Sequence, residues 1–241
     1  MNQPGIIILD KPVGKSSAFI TRIIGRKVGA KKVGHLGTLD PFATGVLPIA
    51  FNSATKLIPY IKSEQKTYIF EVFFGEKRET GDITGNIIET SDFCPSKEEI
   101  LSVLQYFTGN ILQIPHRFSA VKINGKKAYE IARTGGQPNL KERPITIFSL
   151  NLLNQASVNS YVFEATVSPG TYIRTLAEDI ANKLGSVAYV KNLRRIQDGQ
   201  FSIHKAVTME LLENLSFCID DILQTPEFVL ENSPANSCVS E

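Results

Sequence analysis

The chain has 241 residues, 42% hydrophobic and 21% charged, enough apolar material for a sizeable core and too much for a disordered chain. No stretch approaches the roughly twenty uncharged apolar residues of a spanning helix, and Gly5–Leu9 is too short for a secretory signal, which argues against membrane insertion and secretion. Cys94, Cys218 and Cys238 are odd in number and lack a CxxC spacing, so neither a disulfide framework nor a zinc knuckle is expected.

The formal net charge of +2 is unevenly spread. Residues 1–62 hold nine Lys or Arg against Asp10 and Asp40, residues 63–205 are nearly balanced, and residues 206–241 carry seven acids and no base. A basic N-terminal quarter suits a polyanion, because each Lys or Arg that meets a phosphate releases condensed counterions. A solvated helix face balanced by acids elsewhere is the competing reading.

In chain order, Gly5–Leu9 reads as a short buried strand ending at Pro12. Ser16 or Ser17 caps a helix to about Val28, with Phe19, Ile20, Ile23 and Ile24 as its apolar stripe. Residues 29–45 are glycine-rich and read as a loop, followed by a strand at Val46–Phe51 and a short helix at Ala54–Ile61. Thr67–Phe74 alternates as a half-buried strand. Ser96 and Glu99 have capping-box spacing for a helix to about Phe107, and Asn124-Gly125 marks a turn between Ala120–Ile123 and Lys126–Ala132.

Ile145–Leu153 and Tyr161–Val167 are strands separated by a polar turn, and Thr171–Leu184 is a helix stopped by Gly185. Ser186–Leu193 and Phe201–Ile203 are late strands, and Met209–Leu215 is a final helix. Adjacent strands interrupted by single helices predict an α+β fold, with a mixed, mainly antiparallel sheet flanked by helices. Residues 1–224 are expected to form one domain, and residues 225–241 a disordered acidic tail.

The chemistry concentrates in Gly34-His35-Leu36-Gly37-Thr38-Leu39-Asp40-Pro41, continuing to Gly45. Glycines allow close backbone approach and Pro41 fixes the chain after Asp40, a rigid mount for a nucleophile or base. The plainer alternative makes Asp40 a turn former and His35 a packed histidine. Walker A and dinucleotide spacings are absent, and His35, His116 and His204 lack metal-ligand spacing, so no metal or cofactor is expected. Tyr172 and Arg174 stand at a strand-to-helix junction, where exposed N–H groups favour anions, and an arginine there can pair with Asp40. Tyr68 heads an alternating strand and by itself reads as packing.

These segments resemble the tRNA pseudouridine-55 synthases of the TruB family over about residues 5–215. The opening motif is matched by Asp10–Gly14 with Ser16-Ser17, and the catalytic motif by Gly34–Pro41 and Gly45–Pro48. Lys66-Thr67-Tyr68, Ser119–Glu130, Gly170–Arg174 and Leu193–Arg195 match the remaining signatures. Leu36, His116 and Ile196-Gln197 depart from the usual pattern. The resemblance implies the pseudouridine synthase catalytic fold and isomerisation of a uridine in the T stem-loop of tRNA, with neither cofactor nor metal. Asp40 is implied as nucleophile or base at the sugar, with Arg174 pairing it. Tyr68 and Tyr172 are implied to line the base pocket, His35 to pack into the T loop, and Leu193 to contact the base. Lys11 and Pro12 are implied to support the loop. About 30 residues follow the last expected core strand, too few for a further domain such as PUA, and a cytoplasmic monomer acting on tRNA is expected. A non-catalytic tRNA-folding module and a phosphate-binding metabolic enzyme are the alternatives, the first discriminated by whether Asp40 is idle, the second by the missing phosphate-loop spacing.

Overall fold

The computed structural model describes residues 4–61 and 63–213; the expected tail at 225–241 lies outside them. Its elements run β1 (Gly5–Lys11), α1 (Ser17–Lys27), β2 (Val33–His35), β3 (Thr44–Phe51), β4 (Lys66–Phe74), β5 (Glu76–Arg78), β6 (Ile87–Thr90), α2 (Lys97–Leu104) and β7 (Gly109–Gln113). They continue with β8 (Lys122–Ile123), β9 (Lys126–Lys127), α3 (Ala128–Arg133), β10 (Arg143–Ser157), β11 (Ser160–Val167), α4 (Ile173–Lys183), β12 (Ala188–Asp198), β13 (Phe201–Ser202) and α5 (Met209–Glu213). The described residues divide into two compact units, one of residues 4–61, 63–68 and 194–213, the other of residues 69–193.

In the first unit β1 lies antiparallel to β3, from Gly5 opposite Phe51 to Lys11 opposite Gly45. β2 also pairs β3 antiparallel, while Arg194 and Arg195 of β12 run parallel to Thr44 and Gly45. β1 is an uninterrupted apolar run because both its faces are covered. Ile7 and Leu9 join Ile20 and Ile24 of α1 and Leu47, Ile49 and Phe51 of β3. Ile6 and Ile8 turn to the opposite cluster with Val46, Ala50, Ala54 and Phe201. Each such side chain contributes about 1.5–3 kcal/mol by leaving water. Ser16 caps α1 by accepting from the Phe19 N–H, which leaves the basic side chains Lys15, Arg22, Arg26 and Lys27 on its exposed side.

The second unit carries the strand order β12, β4, β11, β10, β7, with β10 antiparallel to both β11 and β7. Phe70 and Phe163 stack across β4 and β11 at 5.5 Å. α4 turns Leu176, Ala177, Ile180 and Ala181 into the core, and Gly185, at φ 74°, ends it. The capping box of α2 is present with both Ser96 and Glu99 engaged, and Asn124 and Gly125 take the positive φ values a tight hairpin turn needs.

The α+β class with a mixed, mainly antiparallel arrangement agrees with the sequence expectation: β12 pairs β3 in parallel, while β1 and β2 pair β3, and β7 and β11 pair β10, antiparallel. Three differences stand out. The 29–45 loop contains β2, a three-residue strand whose pairing with β3 no alternation announces. The helix expected at 54–61 is a short 3-10 segment over Asn52–Leu57. The β5–β6 hairpin and β7 were not expected, because β6 is exposed along its whole length and shows no buried face.

Gly45 (φ +100°) sits where β3 and β12 touch, and a Cβ there would collide with the Arg195 carbonyl oxygen. Gly14 has φ +89° but open space around it. Gly14→Ala is therefore expected to cost only the left-handed strain of about 1–2 kcal/mol, and Gly45→Ala more than about 3 kcal/mol, since backbone must move. Urea unfolding of both variants checks the ranking; equal losses would contradict the packing described here.

Candidate functional site

The Asp40 loop is held from beneath by side chains that bind its backbone. Lys11, fully buried at the end of β1, donates from Nζ to the carbonyls of Ala43 at 2.7 Å, Pro12 at 2.8 Å and Pro41 at 3.3 Å. Ser17 Oγ accepts from the Leu39 N–H at 2.9 Å and donates to the Leu39 carbonyl at 2.8 Å. The Gly14 N–H reaches the Pro41 carbonyl, and the Ala43 N–H closes a turn on that of Asp40. Arg195 binds the Gly37 carbonyl at 2.7 Å and the Val46 carbonyl at 2.6 and 2.9 Å. Buried carbonyls left without donors would each cost about 1–3 kcal/mol, so these contacts select one loop conformation. The expectation that Lys11 supports the loop agrees with this geometry.

Electrostatics follow from the same contacts. Burial pushes the Lys11 ammonium down to about 8, against the pull of Asp40. Asp40 thus lies within electrostatic reach of the Lys11 ammonium. His35 ends β2; its Nδ1 lies 3.2 Å from Thr21 Oγ1 and its Nε2 3.1 Å from Thr38 Oγ1. Thr21 already gives its hydroxyl proton to the Ser17 carbonyl, so the pattern assigns the ring proton to Nδ1 and makes Nε2 the acceptor. Burial and the Arg195 charge lower the imidazole further from protonation. Tyr68 is buried to 8% exposure; burial raises its phenol, and its hydroxyl meets the Arg195 guanidinium. Asp40, His35 and Tyr68 are therefore brought together in the first unit.

The second unit holds the other expected residues. Tyr172 is the N-cap of α4, its backbone N–H and carbonyl both bound by the Gln113 amide. Arg174, 4% exposed, donates to the Thr80 carbonyl at 2.7 Å, to the Phe118 carbonyl at 3.0 Å and to Asp82 Oδ2 at 3.5 Å. Asp82 is itself fixed by the hydroxyls of Thr80 and Thr84. Leu193 is buried in the middle of β12.

The sequence places Arg195 in the Leu193–Arg195 signature without a role, and it does not mark Asp82 or Asp198. Arg195 had one available signal: it stands on the inward parity of β12, between Leu193 and Asp198, where a solvated side chain does not fit. Among the described residues no helix is long and apolar enough to cross a membrane.

Residues 25–173 match the model of the TruB family pseudouridylate synthase (N-terminal domain), and residues 174–230 that of the tRNA pseudouridylate synthase B C-terminal domain. The chain is 41% identical over 238 residues to a tRNA pseudouridine synthase B of Bradyrhizobium diazoefficiens, covering 96% of this chain and 69% of that one. It is 43% identical over 206 residues to the namesake from Gluconobacter oxydans, covering 86% and 62%, and 39% identical to that of Ruegeria pomeroyi, covering 98% and 79%. The chain thus spans between 62% and 79% of these relatives' lengths. Among solved structures, one described as a Cbf5-Nop10-Gar1 complex superposes with a TM-score of 0.73 at 27% identity, covering 95% of this chain and 62% of that one.

Lys11 gives a pH test of the loop support. Between about 8 and the ordinary 10.5 the unfolded chain keeps a proton that the folded lysine has released, so stability relative to Lys11→Met rises with pH across that window. Urea unfolding of both proteins on either side of the window should show that divergence; parallel curves would place Lys11 in solvent.

Proposed function

The chain belongs to the TruB family of pseudouridylate synthases, and from that membership we propose that it isomerises one uridine in the T arm of tRNA to pseudouridine, with Asp40 acting at the ribose. The observation that carries the role of Asp40 is the loop itself: the carboxylate sits on a segment whose backbone is fixed by Lys11, Ser17 and Arg195. Such a mount gives the positional precision that attack at a single carbon requires.

The reaction balances without a redox partner. The N1–C1′ bond breaks, the uracil turns, C5 bonds to C1′, the C5 proton leaves and N1 gains one. Asp40 serves as nucleophile at the sugar carbon or as base on the sugar. The sugar of a uridine held in its stack is out of reach of a carboxylate mounted on a fixed loop, so the base leaves its stack. Tyr68 supports a neutral phenol at the site, since burial holds it above its ordinary value. Tyr172, Arg174 and Leu193 are the second unit's proposed substrate contacts, Arg174 held ready by Asp82. His35 is proposed to meet the T loop from the rim of the Asp40 loop.

Phosphate contacts are proposed for the exposed basic side of α1 and for Lys31 and Lys32, which follow it. We propose one catalytic domain over residues 1–224 and a monomer acting on tRNA in the cytoplasm. No bound metal is called for by the reaction as written.

Two measurements test this reading. Asp40→Asn keeps the side-chain volume and should lower single-turnover conversion of tRNA by at least about a thousandfold, with tRNA affinity near wild type; conversion within tenfold would remove Asp40 from the chemistry. Reversing the charges of Lys31 and Lys32 should weaken binding at low salt and flatten log K against log salt by about one unit per lost phosphate contact. An unchanged slope in filter binding would place the RNA elsewhere.

A further inference from the structure

The first unit contains a buried charge cluster that the reaction scheme leaves unused. Asp198, the last residue of β12, is 2% exposed. Its carboxylate accepts from Ser63 Oγ at 2.5 Å, Lys66 Nζ at 3.0 Å and Arg195 Nη1 at 3.0 Å. Arg195 is 1% exposed, and its other nitrogens are the ones that bind the Gly37 and Val46 carbonyls. The cluster closes against Gly37 (φ +62°): a Cβ there would stand 2.7 Å from Lys66 Nζ and 2.8 Å from Arg195 Nη1, and would collide with the Asp198 carboxylate. Gly37 lies three residues before Asp40.

Two cations out of water repel each other and tolerate burial only with a shared anion. Asp198 is that anion. Without its charge Arg195 would face Lys66 with no counterion, and the guanidinium would relieve the repulsion by letting go of the Gly37 carbonyl while staying on the Tyr68 hydroxyl.

We propose that Asp198 is a positioning residue of the reaction: it fixes Arg195 between the Gly37 carbonyl and the Tyr68 hydroxyl, so that the Asp40 loop and the phenol are set by one buried ion cluster. This rests on the roles given above to Asp40 and Tyr68. The charged groups around the Tyr68 phenol act in a definite sense: Asp198 and Asp40 hold its proton on, and Arg195 favours its loss. A residue that merely fastened β12 to β4 would stabilise the fold without governing the phenol.

Asp198→Asn tests the difference. It should lower turnover by about ten- to a hundredfold with tRNA affinity little changed, and Tyr68 should ionise at lower pH than in wild type. The tyrosinate absorbance of each protein, read against its own Tyr68→Phe partner, isolates that titration and needs no substrate. The double variant Asp198→Asn/Lys66→Met removes one cation with the anion; it should recover part of the turnover while its Tyr68 still ionises below the wild-type value. The double variant also carries the titration test if the single one does not fold. An unmoved Tyr68 titration, turnover within about twofold of wild type in folded Asp198→Asn, or a double variant less active than that single one overturns the proposal. An active Asp40→Asn would instead sink the assignment of Asp40 and leave the titration shift standing, so the two failures are distinguishable.

Discussion

Two buried cations bind four carbonyl oxygens of the Asp40 loop and the start of β3, those of Gly37, Pro41, Ala43 and Val46. Lys11 takes those of Pro41 and Ala43, and Arg195 takes those of Gly37 and Val46. A lysine and an arginine that are 0% and 1% exposed are costly to bury, because each loses most of its hydration. The cost is offset by carbonyl dipoles and by Asp198 beside Arg195. The loop geometry around Asp40 is consequently tied to the charge state of groups in β1 and β12, and a carboxylate on that loop experiences fixed positive charge without depending on a mobile surface partner.

The same economy appears in the second unit. Arg174 spends its guanidinium on two backbone carbonyls and Asp82, and the α4 N-terminus is fixed by Gln113 binding both polar atoms of the Tyr172 backbone. In both units a polar side chain is oriented by backbone groups from elements distant in sequence. Rotamer freedom is removed before any substrate arrives, which lowers the ordering cost of the reacting arrangement.

Local rules exposed much of this fold. The β1 run, the Ser16 cap, the Ser96 capping box, the Asn124-Gly125 turn and the Gly185 stop each depend on a few neighbouring residues and an inherent conformational preference. β7 depends on pairing with β10, far along the chain, while β2 and the β5–β6 hairpin pair with near neighbours but are too short or too exposed to carry a period. Asp40 was visible because its glycines and proline mark an unusual loop, and the ordered motifs gave the family. Arg195 and Asp198 were not, since a charged residue in a strand reads as solvated until its partners are known. Lys11 stood in between: it follows four apolar residues and one acid, and only the pairing of β1 with β3 shows that it has no route to solvent.

The central claim is that Asp40 acts at the ribose of a uridine taken out of its stack. A crystal structure of Asp40→Asn with a T stem-loop RNA tests it most directly. The account predicts the target uridine flipped from the loop, with its C1′ within about 3.5 Å of the residue 40 side chain, the separation of a near-attack arrangement. A target base still stacked in the loop, or a C1′ well beyond that reach while the RNA is fully bound, would contradict it.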